Sequence, residues 1–376
     1  MKHIAFFIPV LTMGGAEKVI ISLANGFAAK GYKVDLVLVN KKGSLISTVS
    51  SKVHIVDLAA PKTFLSIWKL REYLIHSKPH VFLSALDNAN IVASLAVRLS
   101  REEICHIISF HTNLKLSLVK PRSFIHGFYP LIMRRLFPRA KGFVAVSQCV
   151  AKETGEFLKL PSDIIEVIYN PVIDETLKRK AMEPITHPWL ENKEYNTIVA
   201  VGRFFEAKDY PTLLYAFTKV QSVLPKTRLI ILGDGKSTIK EEMISIIQQE
   251  KLEKVVDIRG YEQNPYPYIK KATLFVLTSK WEGFGNVLVE ALHLGVPAIS
   301  TNCKCGPEEI LKGGELGRLV AVGDINALAS AIIDQFTQLS SHDQSMIDHH
   351  LKQMEAGYVL DKYEMFFLKR LEEMKG

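Results

Sequence analysis

Short continuous apolar runs recur along the chain, each separated from the next by a stretch with helical spacing. Ile4–Val10 is the first, followed by Val19–Lys30, an amphipathic stretch that stops at Gly31. Val34–Val39, Val53–Leu58, Val81–Ala85, Ile104–Ser109 and Gly142–Val146 continue the pattern. Runs this short, with no polar alternation, belong to strands buried on both faces. Parallel neighbours need a crossover, and a helix supplies it. The alternation therefore predicts a doubly wound α/β sheet.

Asn170-Pro171 and the polar, proline-containing stretch from Asp174 to Asn196 interrupt this order, and a second alternation follows. Thr197–Val201, Arg228–Leu232, Val255–Arg259, Leu274–Leu277 and Ala298–Ser300 read as strands, with helices near 211–224, 236–251, 286–294 and 325–338. A chain of 376 residues is long for a single core. Two Rossmann-like domains are predicted, 1–180 and 190–357, facing each other across a cleft. The last segment, Tyr358–Met374, is amphipathic, with Leu360, Met365, Phe366 and Leu368. This closing helix, 358–376, is a candidate to pack back onto the first domain.

Charge is unevenly spread. Residues 1–180 hold 25 Lys and Arg against 13 Asp and Glu, a net of +12, whereas the remainder holds 22 against 26. That asymmetry points the first half toward an anionic partner, a membrane surface or a nucleic acid. No apolar run reaches the ~20 residues needed to cross a bilayer. Lys2 followed by Ile4–Met13 imitates a signal peptide, but the run is short, contains Pro9 and fits a first buried strand. Cys303-Lys304-Cys305 lacks the spacing and partners of a zinc site, and Cys105 and Cys149 lie in apolar runs. All four cysteines read as reduced thiols.

Thr278-Ser-Lys-Trp-Glu-Gly-Phe-Gly-Asn-Val-Leu-Val-Glu290 reads as strand end, glycine loop and helix, the helix stopping at Gly295-Val296-Pro297. Such a loop offers free backbone N–H groups and a positive helix N-terminus to an anion. Glu282 lies in the loop and Glu290 one to two turns into the helix. Carboxylates are poor phosphate ligands but good acceptors for sugar hydroxyls, which suggests a sugar nucleotide. Val201-Gly202-Arg203-Phe-Phe-Glu-Ala-Lys208 is a second strand-to-helix loop. Its basic pair would neutralise a diphosphate, Arg203 through its planar fork and Lys208 as a point charge; taken alone it could equally be a solvated surface pair.

Two look-alike motifs fail. Gly233-Asp-Gly-Lys-Ser237 ends like a P-loop, but the earlier glycine would fall at Ile230. Met13-Gly14-Gly15 lacks the three-glycine spacing of a dinucleotide fingerprint, which argues against a dehydrogenase.

Arg203 with Lys208, and Glu282 with Glu290, resemble the signature of retaining GT-B glycosyltransferases of family 4. Gly14-Gly15-Ala16-Glu17, Ser109-Phe110-His111, Asn170-Pro171, Gly233-Asp234-Gly235 and Gly306-Pro-Glu-Glu-Ile310 follow in the family's order, so the resemblance spans nearly the whole chain. It implies a GT-B architecture, with 190–357 as the nucleotide-sugar-binding domain and 1–180 on the acceptor and membrane side. It further implies that Arg203 and Lys208 hold the nucleotide diphosphate and stabilise the leaving charge. Glu290 would accept ribose hydroxyls. Glu282, with the backbone of Gly283, Phe284 and Gly285, would hold the donor sugar. Asn286 and Val287 would offer amides to the phosphates, Gly14, Gly15 and Gly202 would admit the donor closely, and His111 would sit beside the transferred sugar. His111 alone reads equally as a satisfied polar residue at a strand end, and Gly14-Gly15 as a tight turn.

In such enzymes the reaction is thought to run on the donor's front face, the leaving phosphate taking the acceptor's proton. No metal or other cofactor is expected: the chain has no Asp-x-Asp element, and the basic pair can do a metal's work. The opening loop and the 302–310 stretch look most like the bacterial subgroup that adds N-acetylhexosamines or hexoses to lipid-linked glycans, the donor being a UDP-sugar in the first instance. Between Lys115 and Lys141 stand seven basic residues and no acidic ones, interleaved with Phe124, Phe128, Tyr129, Leu131, Ile132, Met133, Leu136 and Phe137. This composition suits contact with anionic lipid headgroups, and a peripheral place at the cytoplasmic membrane face is expected rather than nucleic-acid binding. Core packing under a solvated helix face is the plainer alternative for the same residues. Transfer to a soluble acceptor, or a silent sugar-nucleotide-binding scaffold, are the other functional readings.

Overall fold

The structure, a computed structural model, describes residues 2–12, 14–115, 128–338 and 343–375. Met13, Lys120, Arg122 and Phe124, all singled out in the sequence, lie outside the described residues. The chain divides into two compact units, Met1–Val172 together with Gln353–Gly376, and Ile173–Lys352.

The first unit is built on a parallel sheet of seven strands: β1 (His3–Ile8), β2 (Lys33–Leu38), β3 (His54–Asp57), β4 (Val81–Ala85), β5 (Cys105–Phe110), β6 (Gly142–Ala145) and β7 (Ile165–Val167). Their order is β3-β2-β1-β4-β5-β6-β7. β1, β4 and β5 are buried along their whole length, as their unbroken apolar runs require. Helix Gly15–Ala29 covers one face and buries Val19, Ile20, Leu23 and Phe27 against Ile4, Phe6 and Ile8.

The C-terminal helix, Ala356–Glu373, completes that same core with Val359, Tyr363, Phe366 and Phe367. Phe367 stacks on Phe27 with ring centroids 5.5 Å apart. Gly26 makes the approach possible, since a Cβ there would come within 2.3 Å of Leu360. Lys30 pairs with Asp361 at 2.6 Å and with Glu364 at 2.5 Å along the edge of the contact. The final helix thus belongs to the first unit although the chain passes through the second to reach it.

The second unit repeats the plan with six parallel strands: β8 (Asn196–Val201), β9 (Thr227–Leu232), β10 (Val256–Gly260), β11 (Leu274–Leu277), β12 (Ala298–Thr301) and β13 (Arg318–Val320), in the order β10-β9-β8-β11-β12-β13. In both sheets the winding direction reverses once, between β1 and β4 and between β8 and β11. Doubly wound folds bind ligands at that switch point, outside the carboxyl ends of the strands. The polar stretch 174–196 is a packed part of the second unit. Its helix Glu175–Lys180 is capped by Asp174, Asn264 donates to Lys180 O at 2.9 Å, and Arg228 lies over the Tyr195 ring at 4.1 Å.

The expectation of four reduced thiols holds for Cys105 and Cys303, which are free and buried; Cys149 and Cys305 are not free.

Candidate active site

Three loops meet at the carboxyl ends of β8, β11 and β12, and specific hydrogen bonds tie them together. Thr278 Oγ1 donates to Lys208 O at 2.8 Å, and Lys280 N to Ala207 O at 2.7 Å. Lys280 Nζ reaches Asp209 at 3.0 Å. Thr301 Oγ1 donates to Ser279 O at 2.6 Å, and Glu282 N to Lys304 O at 3.2 Å. Glycines admit these approaches. A Cβ at Gly306 would fall 1.7 Å from Phe284 O, and one at Gly233 would fall 1.9 Å from Gly202 O; both residues also hold positive φ. The Gly306-Pro307 and Gly233-Asp234-Gly235 pieces therefore shape the loops that carry the site.

Inside this frame Lys208 and Glu282, 74 residues apart, form an ion pair. Lys208 Nζ donates to Glu282 Oε1 at 2.5 Å, and Ser279 Oγ donates to the same oxygen at 2.6 Å. Both charged side chains are largely buried, so the pair is screened far less than a surface bridge. Gly202 leaves room for the Lys208 stem, because a Cβ there would meet Cε at 3.0 Å. Arg203, next along the loop, is exposed while Phe204 is buried.

Gly285, with φ 105°, caps the helix Asn286–His293. Phe284 is buried, so its backbone rather than its ring is what the loop can present. Asn286 and Val287, half-buried, form the first turn. Glu290 follows one turn later and is buried, its Oε1 accepting from Tyr266 Oη at 3.4 Å. The Glu290 charge, then burial, raise the Tyr266 hydroxyl well above its ordinary value, so it stays a donor. Tyr266 carried no signal in the sequence: nothing in its local spacing relates it to a carboxylate 24 positions on.

In the first unit Gly14 and Gly15 open the helix that follows β1. A Cβ at Gly14 would fall 2.0 Å from the Glu17 carboxylate, which folds back into the loop and accepts from Thr12 Oγ1 at 2.9 Å. The φ of Gly14, −86°, suits any residue, so a larger side chain there would only have to displace the Glu17 carboxylate. His111 follows β5. Its Nε2 lies 3.0 Å from Ser109 Oγ, and its Nδ1 is buried without a hydrogen-bond partner among the described residues. Burial pushes the His111 imidazole down to about 4, so it is neutral at pH 7. Ser109 is held in turn, since Asn90 Nδ2 donates to its carbonyl at 3.1 Å.

Of the sequence candidates, then, Gly202, Arg203, Lys208, Glu282, Gly283, Phe284, Gly285, Asn286, Val287 and Glu290 lie in the second unit on loops at the sheet's carboxyl edge and the first turns of one helix. Gly14, Gly15 and His111 lie at the carboxyl edge of the first unit's sheet. Among the described residues no group of three or more His, Cys, Asp and Glu is placed to hold a metal ion.

Two doubly wound Rossmann-like units, the second carrying an anion-ready helix start beside a Lys–Glu pair, define the GT-B class of glycosyltransferases. Comparison with known proteins carries this to the family. The model for "Glycosyltransferase Family 4" matches residues 13–176, and that for "Glycosyl transferases group 1" matches 182–350. The chain belongs to the GT-B glycosyltransferases of the family 4 type. It is 28% identical over 342 residues, 87% of this chain and 88% of the relative, to a Campylobacter jejuni enzyme. That relative is the N-acetylgalactosamine-N,N'-diacetylbacillosaminyl-diphospho-undecaprenol 4-alpha-N-acetylgalactosaminyltransferase. The amylovoran biosynthesis glycosyltransferase AmsD of Erwinia amylovora is 25% identical, with 80% of each chain covered. Among solved structures, Anabaena HepE in complex with UDP-glucose superposes with a TM-score of 0.81 at 17% identity, covering 97% of this chain and 99% of that one. Sucrose-phosphate synthase of Thermosynechococcus elongatus does so with 0.78 at 18% identity, covering 98% and 99%.

Proposed function

We infer that this glycosyltransferase moves a hexose or N-acetylhexosamine from a UDP-sugar to a lipid-linked glycan, with retention at the anomeric carbon, at the inner face of the plasma membrane. The observation that carries the reading is the second unit's switch-point site, where the Lys208–Glu282 pair and buried Glu290 flank a helix start. Arg203 and Lys208 hold the diphosphate. The Lys208 ammonium has three donors, so it can keep Glu282 and still bond a phosphate oxygen. The N–H groups of Asn286 and Val287 take further phosphate oxygens at the positive helix end. Glu290, braced by Tyr266, accepts the ribose hydroxyls. Glu282 and the backbone of 283–285 hold the sugar, and His111, neutral, would serve the transferred sugar as a hydrogen-bonding group rather than a charge.

The acceptor oxygen bonds to C1 as the C1–O bond to the diphosphate breaks on the same face, and the acceptor's proton passes to the departing phosphate oxygen. The leaving charge is neutralised by Arg203 and Lys208, with no metal required. The lipid-linked acceptor draws support from the undecaprenol-linked substrate that the Campylobacter relative's name carries, and the UDP donor from the UDP and UDP-glucose held by HepE.

The test incubates the protein with UDP- and GDP-sugars and membrane lipid extract, then reads the anomeric configuration of the product by proton NMR. Retained configuration on a lipid-soluble product is the expected result. Lys208→Ala should lower transfer by about 10²–10³-fold, as loss of one preorganised charge donor does. Full activity in that variant, or an inverted product, would sink the reading.

A further inference from the structure

Two segments of the first unit that touch each other bring apolar side chains to the surface. The turn Thr63–Ser66 and the helix Ile67–Ser77 after it expose Phe64, Leu65 and Trp68, and the helix Tyr129–Leu136 exposes Leu131. The segments meet where Phe64 packs on Tyr129, ring centroids 6.1 Å apart. Leu65, Trp68 and Leu131 are 60%, 67% and 63% exposed, whereas Leu70, Tyr73 and Leu74 on the inner face are buried. The core is therefore already served by the inner face. These three side chains are surplus to it, and exposed apolar clusters of this kind mark interaction sites.

Charge selects the partner. From Leu58 to Arg71 the chain has Lys62, Lys69 and Arg71 and no carboxylate, and 115–141 likewise has none. Lys62, Lys69, Arg135, Arg139 and Lys141 are exposed. Three cations of these segments bond backbone carbonyls: Lys69 Nζ donates to Ala59 O at 3.2 Å, Arg71 Nε to Leu99 O at 3.0 Å, and Arg134 grips Phe157 O at 2.7 and 2.9 Å. A tryptophan and two leucines on two segments whose own charges are all cationic complement an anionic lipid surface. The indole seats at the headgroup level, the leucines pass beneath it, and lysine stems reach back to the phosphates.

We propose that the Phe64–Trp68 turn, joined by Leu131, is a wedge that inserts into an anionic bilayer and anchors the first unit. This rests on the membrane-face reading above but locates the anchor mainly outside residues 115–141, in a segment whose sequence gave no membrane signal.

The test uses the full chain and sedimentation with phosphatidylcholine vesicles, with and without phosphatidylglycerol. Leu65→Ser with Trp68→Ser should lower partitioning onto the anionic vesicles about a hundredfold, about tenfold per side chain withdrawn from the apolar phase. The thermal shift induced by UDP should be unchanged, which controls for folding. In the native chain, vesicles should shift tryptophan emission to the blue, and Trp68→Phe should abolish the shift. Undiminished partitioning of the double variant overturns the wedge, as does a lipid-free dimer that the double variant dissolves. If Arg135→Glu with Arg139→Glu releases the protein while the double variant stays bound, the wedge falls and the membrane-face reading survives. If the native chain ignores anionic vesicles, both fall.

Discussion

Glu290 is a buried carboxylate whose Oε1 accepts from Tyr266 at 3.4 Å, and it gives the sharpest residue-scale prediction. Replacing it by Ala removes a charged acceptor, a change worth about 1.5–3 kcal/mol, so UDP affinity should fall about 10- to 100-fold by calorimetry. Tyr266→Phe keeps the carboxylate and removes only a long hydrogen bond. It should weaken UDP by about threefold, less than the ~1.5–3 kcal/mol of a well-formed bond to a charged group, because at 3.4 Å this one is long. A larger effect for Tyr266→Phe than for Glu290→Ala would overturn the assignment of roles. His111, held down to about 4 by burial, makes a pH prediction. Its unfolded imidazole titrates near ~6.5, so the stability gained by keeping it neutral is full above that value and is lost as pH falls toward 4. Transfer should therefore show no inflection from His111 between about pH 6 and 8, and NMR titration of the ring should show none either.

Elements carry their own polar cores. On β2, Asp35 is buried and accepts from Tyr73 Oη at 2.6 Å, lies 2.9 Å from His3 Nε2 and 3.2 Å from His54 Nδ1. Burial would raise its pKa, but the hydrogen bonds of His3 and Tyr73, the His3 charge and the His54 bond outweigh it and hold the carboxyl at about 2. That is below its unfolded value near ~3.9, so the contribution is present above about pH 4 and lost as pH falls toward 2. It is on the order of 2 kcal/mol. Urea melts of the native chain should lose that much over this window, and those of Asp35→Asn should lose much less. Arg134 shows how an element reassigns a residue: read in sequence as one of seven cations for lipid, it instead holds the carbonyl of Phe157 and lies 5.6 Å from that ring. Tyr129, Met133, Leu136 and Phe137 likewise went to the core, leaving Phe128 and Leu131 outside. β7 and β13 were illegible because strands of three residues show no period to read.

At the scale of the whole chain, the first unit depends on residues from both ends of the sequence. Phe367 is fully buried against Phe27, so Phe367→Ala should cost about 3–5 kcal/mol. The loss should appear in the unfolding of the first unit, followed by hydrogen exchange in Gly15–Ala29, while amides of the second unit stay protected. Equal loss of protection in both units would show that they unfold as one. The sequence by itself determined the two α/β halves, the glycine loops at strand ends and which residue types could meet a sugar diphosphate. Those properties are local: apolar runs, helix periods and glycine positions are written in neighbouring residues. The tertiary structure alone decided that Lys208 is paired with Glu282, that Tyr266 braces Glu290, that Arg134 is spent inside the fold and that Trp68 and Leu65 are left outside it. Those facts depend on which distant segments pack together, and a residue's burial and charge partners are set by that packing.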